Sequence, residues 1–94
     1  MKLSDALEWG WASARQHGVA LIGFWVSQGV LDAIAKELAD LPGARIHADV
    51  IHLPASKKWP DGFAFRLSES LTERGVVPVF DGPLRFDIEE IDFS

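Results

Sequence analysis

Arg45, His47 and Asp49 alternate with Ala44, Ile46, Ala48 and Val50, and in an extended chain alternate residues share a face. Placed together on one strand, they would bring together an imidazole base, a carboxylate to orient it and a guanidinium to clamp an anion. That set can serve general acid–base chemistry on a small substrate. The catalytic alternative is therefore a small hydrolase-like or ligand-binding domain using Arg45, His47 and Asp49. As a metal site the stretch offers two ligands, His47 and Asp49. His52 falls on the opposite face of the same strand unless that strand bulges, so no metal is expected. The non-catalytic reading of the trio is a solvated or helix-covered polar face.

Ser27-Gln28-Gly29 follows an apolar run and precedes a helical pattern, the position at which backbone N–H groups can hold a phosphate. Only Gly23 stands before it, and no Lys-Ser or Lys-Thr follows, so a phosphate loop is not spelled out. Ser27 reads as a simple helix cap, and no cofactor is expected.

The remaining candidates suit recognition. Four tryptophans stand in 94 residues, and tryptophan is over-represented among the residues that dominate interface energetics. Trp11 reads as core. Trp9 falls on the helix face away from the apolar stripe, Trp25 ends an apolar run, and Trp59 follows Lys57 and Lys58. From Asp81 onward the chain carries Asp81, Asp87, Glu89, Glu90 and Asp92 against Arg85 alone. That stretch is either a solvated edge or an acidic patch for a basic protein surface. The expected partner-binding residues are Trp9, Trp25, Lys58, Trp59, Asp87, Glu89 and Glu90.

Composition narrows the classes. The formal net charge is −5, which disfavours coating of nucleic acid, since that needs a basic stripe. There is no cysteine, which excludes disulfides, thiol nucleophiles and dithiol redox chemistry. The longest apolar run is about a third of a membrane span. No signal peptide or transmembrane helix is read, no membrane partner is expected, and a cytoplasmic location fits. The length suits one α/β domain over residues 1–94.

The elements that must position these residues follow from pattern. Ser4 to about His17 reads as a helix with Leu3, Leu7, Gly10, Trp11 and Ala14 on its apolar stripe, ended by Gly18. Val19–Val26 is a nearly continuous apolar run, the mark of a central strand covered on both faces. A second helix follows Ser27, with Val30, Leu31, Ile34, Leu38 and Leu41 on one stripe and Pro42-Gly43 as its stop. Ala44–Leu53 reads as one strand, and Ala55–Gly62 as a loop. In the next segment Phe63, Phe65 and Leu67 alternate like a strand, while Phe63, Leu67 and Leu71 recur like a helix. The reading adopted is a helix from Gly62 to Arg74. Val76–Phe80, Asp81-Gly82 and Pro83–Ile88 read as a hairpin, with a bulge near Glu89-Glu90.

The expected architecture is a two- or three-layer α/β domain with a mixed four-stranded sheet in the order αβαβαββ. Phe24-Trp25 at a strand end, the helix after it, and Val76-Val77-Pro78 opening the hairpin resemble the thioredoxin fold. The resemblance spans residues 19 to 88 and implies a cis Pro78. Val26-Ser27-Gln28-Gly29 stands where that family's Cys-x-x-Cys would be, so it implies no redox activity, and no counterpart of its final helix follows Ile88. A sheet face left without cover would then call for a partner. The expected function is a small acidic, non-catalytic protein-binding module, such as a subunit, inhibitor, immunity-type protein or accessory factor. Its partner would be another protein or, as a homodimer, itself.

Overall fold

The computed structural model describes residues 3–57, 62–82 and 91–92. Helix α1 (Leu3–His17) has Asp5 in its first turn and Arg15 and His17 in its last, each at the dipole end that favours its charge. It ends where Gly18 takes a left-handed φ of 68°. The Gly18 amide donates to the Arg15 carbonyl at 3.4 Å and that of Val19 to Ala14 at 2.9 Å, the paired bonds of a Schellman cap. Its buried residues are Ala6, Gly10 and Ala14, at intervals of four, with Leu7 and Trp11 half-buried beside them. A Cβ on Gly10 would lie 2.9 Å from a Leu21 methyl and 3.1 Å from the tip of Phe24. The stripe of small residues thus lets α1 lie close on the sheet.

Strand β1 (Ala20–Val26) is followed by α2 (Gln28–Leu38), then by β2 (Arg45–Ile46), β3 (Val50–Leu53), β4 (Phe63–Leu67), β5 (Gly75–Asp81) and β6 (Ile91–Asp92). They form one mixed sheet in the order β2-β3-β4-β1-β5-β6. β1 runs parallel to β4 and antiparallel to β5, and the other neighbours are antiparallel. Cross-strand partners share a face, so the register sorts the residues. Leu21, Phe24 and Val26 lie on the same face as Ile51, Phe65, Val76, Pro78 and Phe80. That face is the core, and it packs against Ala6 and Ala14 of α1 and Val30, Leu31 and Ile34 of α2. At its centre Phe24 stacks on Phe65 with centroids 6.0 Å apart. Phe63 meets Phe24 at 5.9 Å and Phe65 at 5.3 Å, both edge-on.

Ser27 ties α2 to the sheet. Its hydroxyl accepts from the Val30 amide at 3.4 Å, as an N-cap does, and donates to the Glu73 carbonyl at 2.5 Å. Its own amide donates to the Gly75 carbonyl at 3.1 Å. One buried side chain thereby joins the start of α2 to the segment entering β5.

Several expectations are corrected. Residues 62–74 are not a helix. Phe63–Leu67 is β4, and 68–74 is a turn-rich connection, because Phe63 and Phe65 alternate into the core while the register with β1 occupies the backbone. The order is accordingly αβαβββββ rather than αβαβαββ. The strand read over Ala44–Leu53 turns back on itself at Ala48-Asp49, and the His47 amide donates to the Val50 carbonyl at 2.9 Å. β1 is not covered on both faces: Ile22 is 40% and Trp25 42% exposed, because both helices pack on the core side. Helix α2 stops at Leu38, and Leu41 is 43% exposed rather than on the apolar stripe. There is no cis peptide bond among the described residues, so Pro78 is trans. Asp81, read as the first residue of the turn, instead ends β5 opposite Ala20, Gly82 after it has φ 117°, and the far side of the expected Asp81-Gly82 turn lies outside the described residues. Ile91–Asp92 returns antiparallel beside Gly75–Val76. The rest of the returning arm, with the bulge near Glu89-Glu90, lies outside the described residues.

Candidate functional site

The uncovered face of the sheet is the most distinctive surface of the fold. Its residues fall in two rows that cross the strands. The first runs Arg45, His52, Ala64, Gly23, Val79, and the second Val50, Arg66, Trp25, Val77, each step a registered pair. His47 extends the second row through its backbone bond to Val50. Among the described residues no helix lies on this face. Trp25 stands near its middle, with Arg66 on one side and Val77 on the other.

Local sequence explains this arrangement. The pairing of β1 with β5 shifts register between Leu21 and Gly23, so Ile22 is the extra residue of a bulge and points outward, 40% exposed. Beyond it Gly23 faces Ala64 so closely that a Cβ would stand within 2.2 Å of the Ala64 carbonyl oxygen. The continuous apolar pattern of residues 19–26 thus conceals one buried face and one exposed apolar face.

The catalytic trio does not assemble on one strand. Arg45 is in β2, His47 opens the turn, and Asp49 lies in the turn, where its carbonyl accepts from the Leu67 amide at 2.9 Å. The ring neighbour of His47 is His52, with centroids 6.4 Å apart and planes at 77°. His52 was expected on the face opposite the trio. The hairpin instead pairs it with Arg45 and places it on the same outer face. Among the described residues no three His, Asp or Glu side chains are grouped to hold a metal ion.

Of the expected partner-binding residues, Trp25 lies on this surface. Trp9 is half-buried on α1, in the other layer. Lys58, Trp59, Asp87, Glu89 and Glu90 lie outside the described residues. Sequence reasoning missed Ile22, His52, Arg66, Val77 and Val79. The signal that finds Arg66 is the alternation of β4, Phe63-Ala-Phe-Arg-Leu67, once it is read as a strand, whereas Ile22 is exposed by the bulge in β1 and His52 by the hairpin at Ala48-Asp49.

Clefts among the described residues flank the sheet. One, of about 280 Å³, lies where α1 meets β1 and is lined by Trp11, Ala14, Arg15, Val19, Ala20 and Leu21. Another, of about 330 Å³, lies beyond the ends of the parallel pair β1 and β4, between Ser27-Gln28-Gly29 and Leu67-Ser68-Glu69, with Leu71 and Glu73. It is where ligands commonly bind in open α/β sheets. Here the Ser27 hydroxyl is consumed by α2 and by Glu73, and the Gln28 side-chain Nε2 donates to the Asp32 carboxylate at 2.9 Å. Two glutamates on the wall oppose an anion.

No helix among the described residues is long and apolar enough to cross a membrane. No protein-family model matches the chain, no curated protein is significantly similar to it, and no solved structure matches it.

Proposed function

We propose that this protein is a small acidic, non-catalytic protein-binding module whose partner docks on the open sheet face around Trp25. The observation that carries this reading is a tryptophan 42% exposed near the centre of a sheet face over which, among the described residues, no helix lies. Ile22, Val77 and Val79 extend the apolar surface around it. Taking a tryptophan as about 250 Å², roughly 100 Å² of Trp25 remains to be buried. At about 25 cal/mol per Å² that burial is worth about 2.5 kcal/mol, enough to make Trp25 an anchor of the interface.

The separation of His47 from Asp49 by the turn speaks against the small hydrolase-like alternative, and the glutamates of the second cleft speak against an anion there. A role as a subunit, inhibitor, immunity-type protein or accessory factor requires only surface complementarity and no cofactor. The thioredoxin likeness bears on the fold and adds nothing to this reading.

The test compares capture of interacting proteins by the wild-type chain, by Trp25→Ala and by Trp9→Ala, followed by titration of the purified partner. Trp25→Ala is expected to weaken binding by about fiftyfold, from the area above, and Trp9→Ala to leave it nearly unchanged. A partner whose affinity is indifferent to Trp25→Ala overturns the reading. Light scattering on the purified chain is expected to give a monomer. A dimer abolished by Trp25→Ala would make the partner a second copy.

A further inference from the structure

The open face is divided in two across its strands. On β2, β3 and β4 and in the intervening turn it carries Arg45, His47, His52 and Arg66, and on β1 and β5 it carries Trp25, Val77 and Val79. The chain as a whole has a formal charge of −5, yet the nearest carboxylates on the described part of this face stand at its margins. Asp49 is in the hairpin turn, and Asp81 is at the far end of β5, opposite Ala20. Two arginines thus lie on a face that no described helix covers, with no described carboxylate between them. We infer that the occupant is an acidic protein segment whose carboxylates meet Arg66 and Arg45 while its apolar side chains rest on Trp25, Val77 and Val79. This inference rests on the docking reading above and specifies the chemistry of the partner.

Charge complementarity selects this occupant over others. A guanidinium binds a carboxylate through two parallel N–H bonds, which adds geometry to the attraction. A second copy packed face on face would set the arginine half against either the apolar half or its own arginines. Both arrangements bury a guanidinium without a carboxylate. Single-stranded nucleic acid calls for a basic groove with several stacking platforms, whereas the described face offers two arginines and one exposed tryptophan. Addition of a strand at an edge is poorly served, since β2 and β6 are each two residues long. Five adjacent strands make the rows roughly 19 Å wide. An extended segment of about six residues spans that distance.

The experiment presents a display library of random peptides, about a dozen residues long, to the immobilised full chain. Enriched peptides are then titrated calorimetrically against wild type, Arg66→Gln, Arg45→Gln and Trp25→Ala, each checked by circular dichroism. Enriched sequences are expected to place Asp or Glu beside aromatic or branched residues. Arg66→Gln should weaken them about tenfold or more. Raising salt from about 50 to 500 mM should weaken wild type severalfold and the double arginine variant little. Peptides without acidic bias, indifferent to both arginine variants but lost with Trp25→Ala, overturn the acidic partner and leave the docking reading standing. Absence of enrichment, or indifference to all three variants, overturns both. Tighter binding of a labelled oligouridine than of any peptide overturns the inference in favour of nucleic acid.

Discussion

Gly23→Ala separates two strands that the fold requires to touch. The added Cβ would lie 2.2 Å from the Ala64 carbonyl oxygen and 3.3 Å from its carbon. A comfortable carbon-to-oxygen contact is about 3.3 Å, so β1 and β4 must part by about 1 Å. The obstructing atom is backbone in a neighbouring strand and cannot rotate aside. Gly23↔Ala64 opens the parallel ladder that runs to Val26↔Leu67, and the next pair along it is the Phe24–Phe65 stack. Losing two ladder bonds at about 1 kcal/mol each and loosening that stack sums to about 3–4 kcal/mol. That is a large part of the roughly 5–10 kcal/mol expected for a domain of this size at ~0.1 kcal/mol per residue. At about 4–8 °C per kcal/mol the midpoint of thermal unfolding falls by about 12 °C or more.

Urea denaturation followed by tryptophan fluorescence and by circular dichroism measures the change. Gly29→Ala is the control: its Cβ would lie 3.3 Å from the Glu73 carbonyl oxygen at the exposed start of α2, where the gain in helix propensity offsets a small adjustment. It is expected to change stability by less than about 0.5 kcal/mol. A loss below about 1 kcal/mol for Gly23→Ala would mean that β1 and β4 do not pair in this register. The two rows of the open face would then have to be redrawn.

Other substitutions address separate links. Ser27→Ala removes both the cap of α2 and the bond to Glu73 and is expected to cost about 1–2 kcal/mol in urea unfolding. Gly18→Ala forces a side chain into the left-handed region at the end of α1. It should lower stability by about 1 kcal/mol, seen as a fall in thermal midpoint. Phe65→Ala removes a ring stacked on Phe24 and edge-on to Phe63, and denaturant titration should show a loss of about 3–5 kcal/mol. Leu41→Ser, by contrast, alters a residue 43% exposed beyond the end of α2, and calorimetry should find a change within about 0.5 kcal/mol.

Sequence alone determined what depends on neighbouring residues. Helix α1 with its Gly18 stop, the apolar run of β1 and the Ser27 cap of α2 are each written in a few adjacent side chains, because dihedral preference and capping are local. Sequence also excluded thiol chemistry outright. It did not decide between helix and strand for Phe63–Leu67, since both periods fit five residues. Only the parallel register with Phe24 and the aromatic packing it allows selected the strand. Nor could it show that Ala44–Leu53 turns at Ala48-Asp49, for that turn exists to pair Ile46 with Ile51, a contact between residues alternation had placed on one continuous strand. The candidate site depended on both decisions. Arg66 joins Trp25 only if residues 63–67 are a strand beside β1, and His52 joins Arg45 only if the hairpin folds back. Local patterning sets which residues can face outward together, but the side of the sheet left bare depends on where both helices pack, and that is a property of the tertiary structure alone.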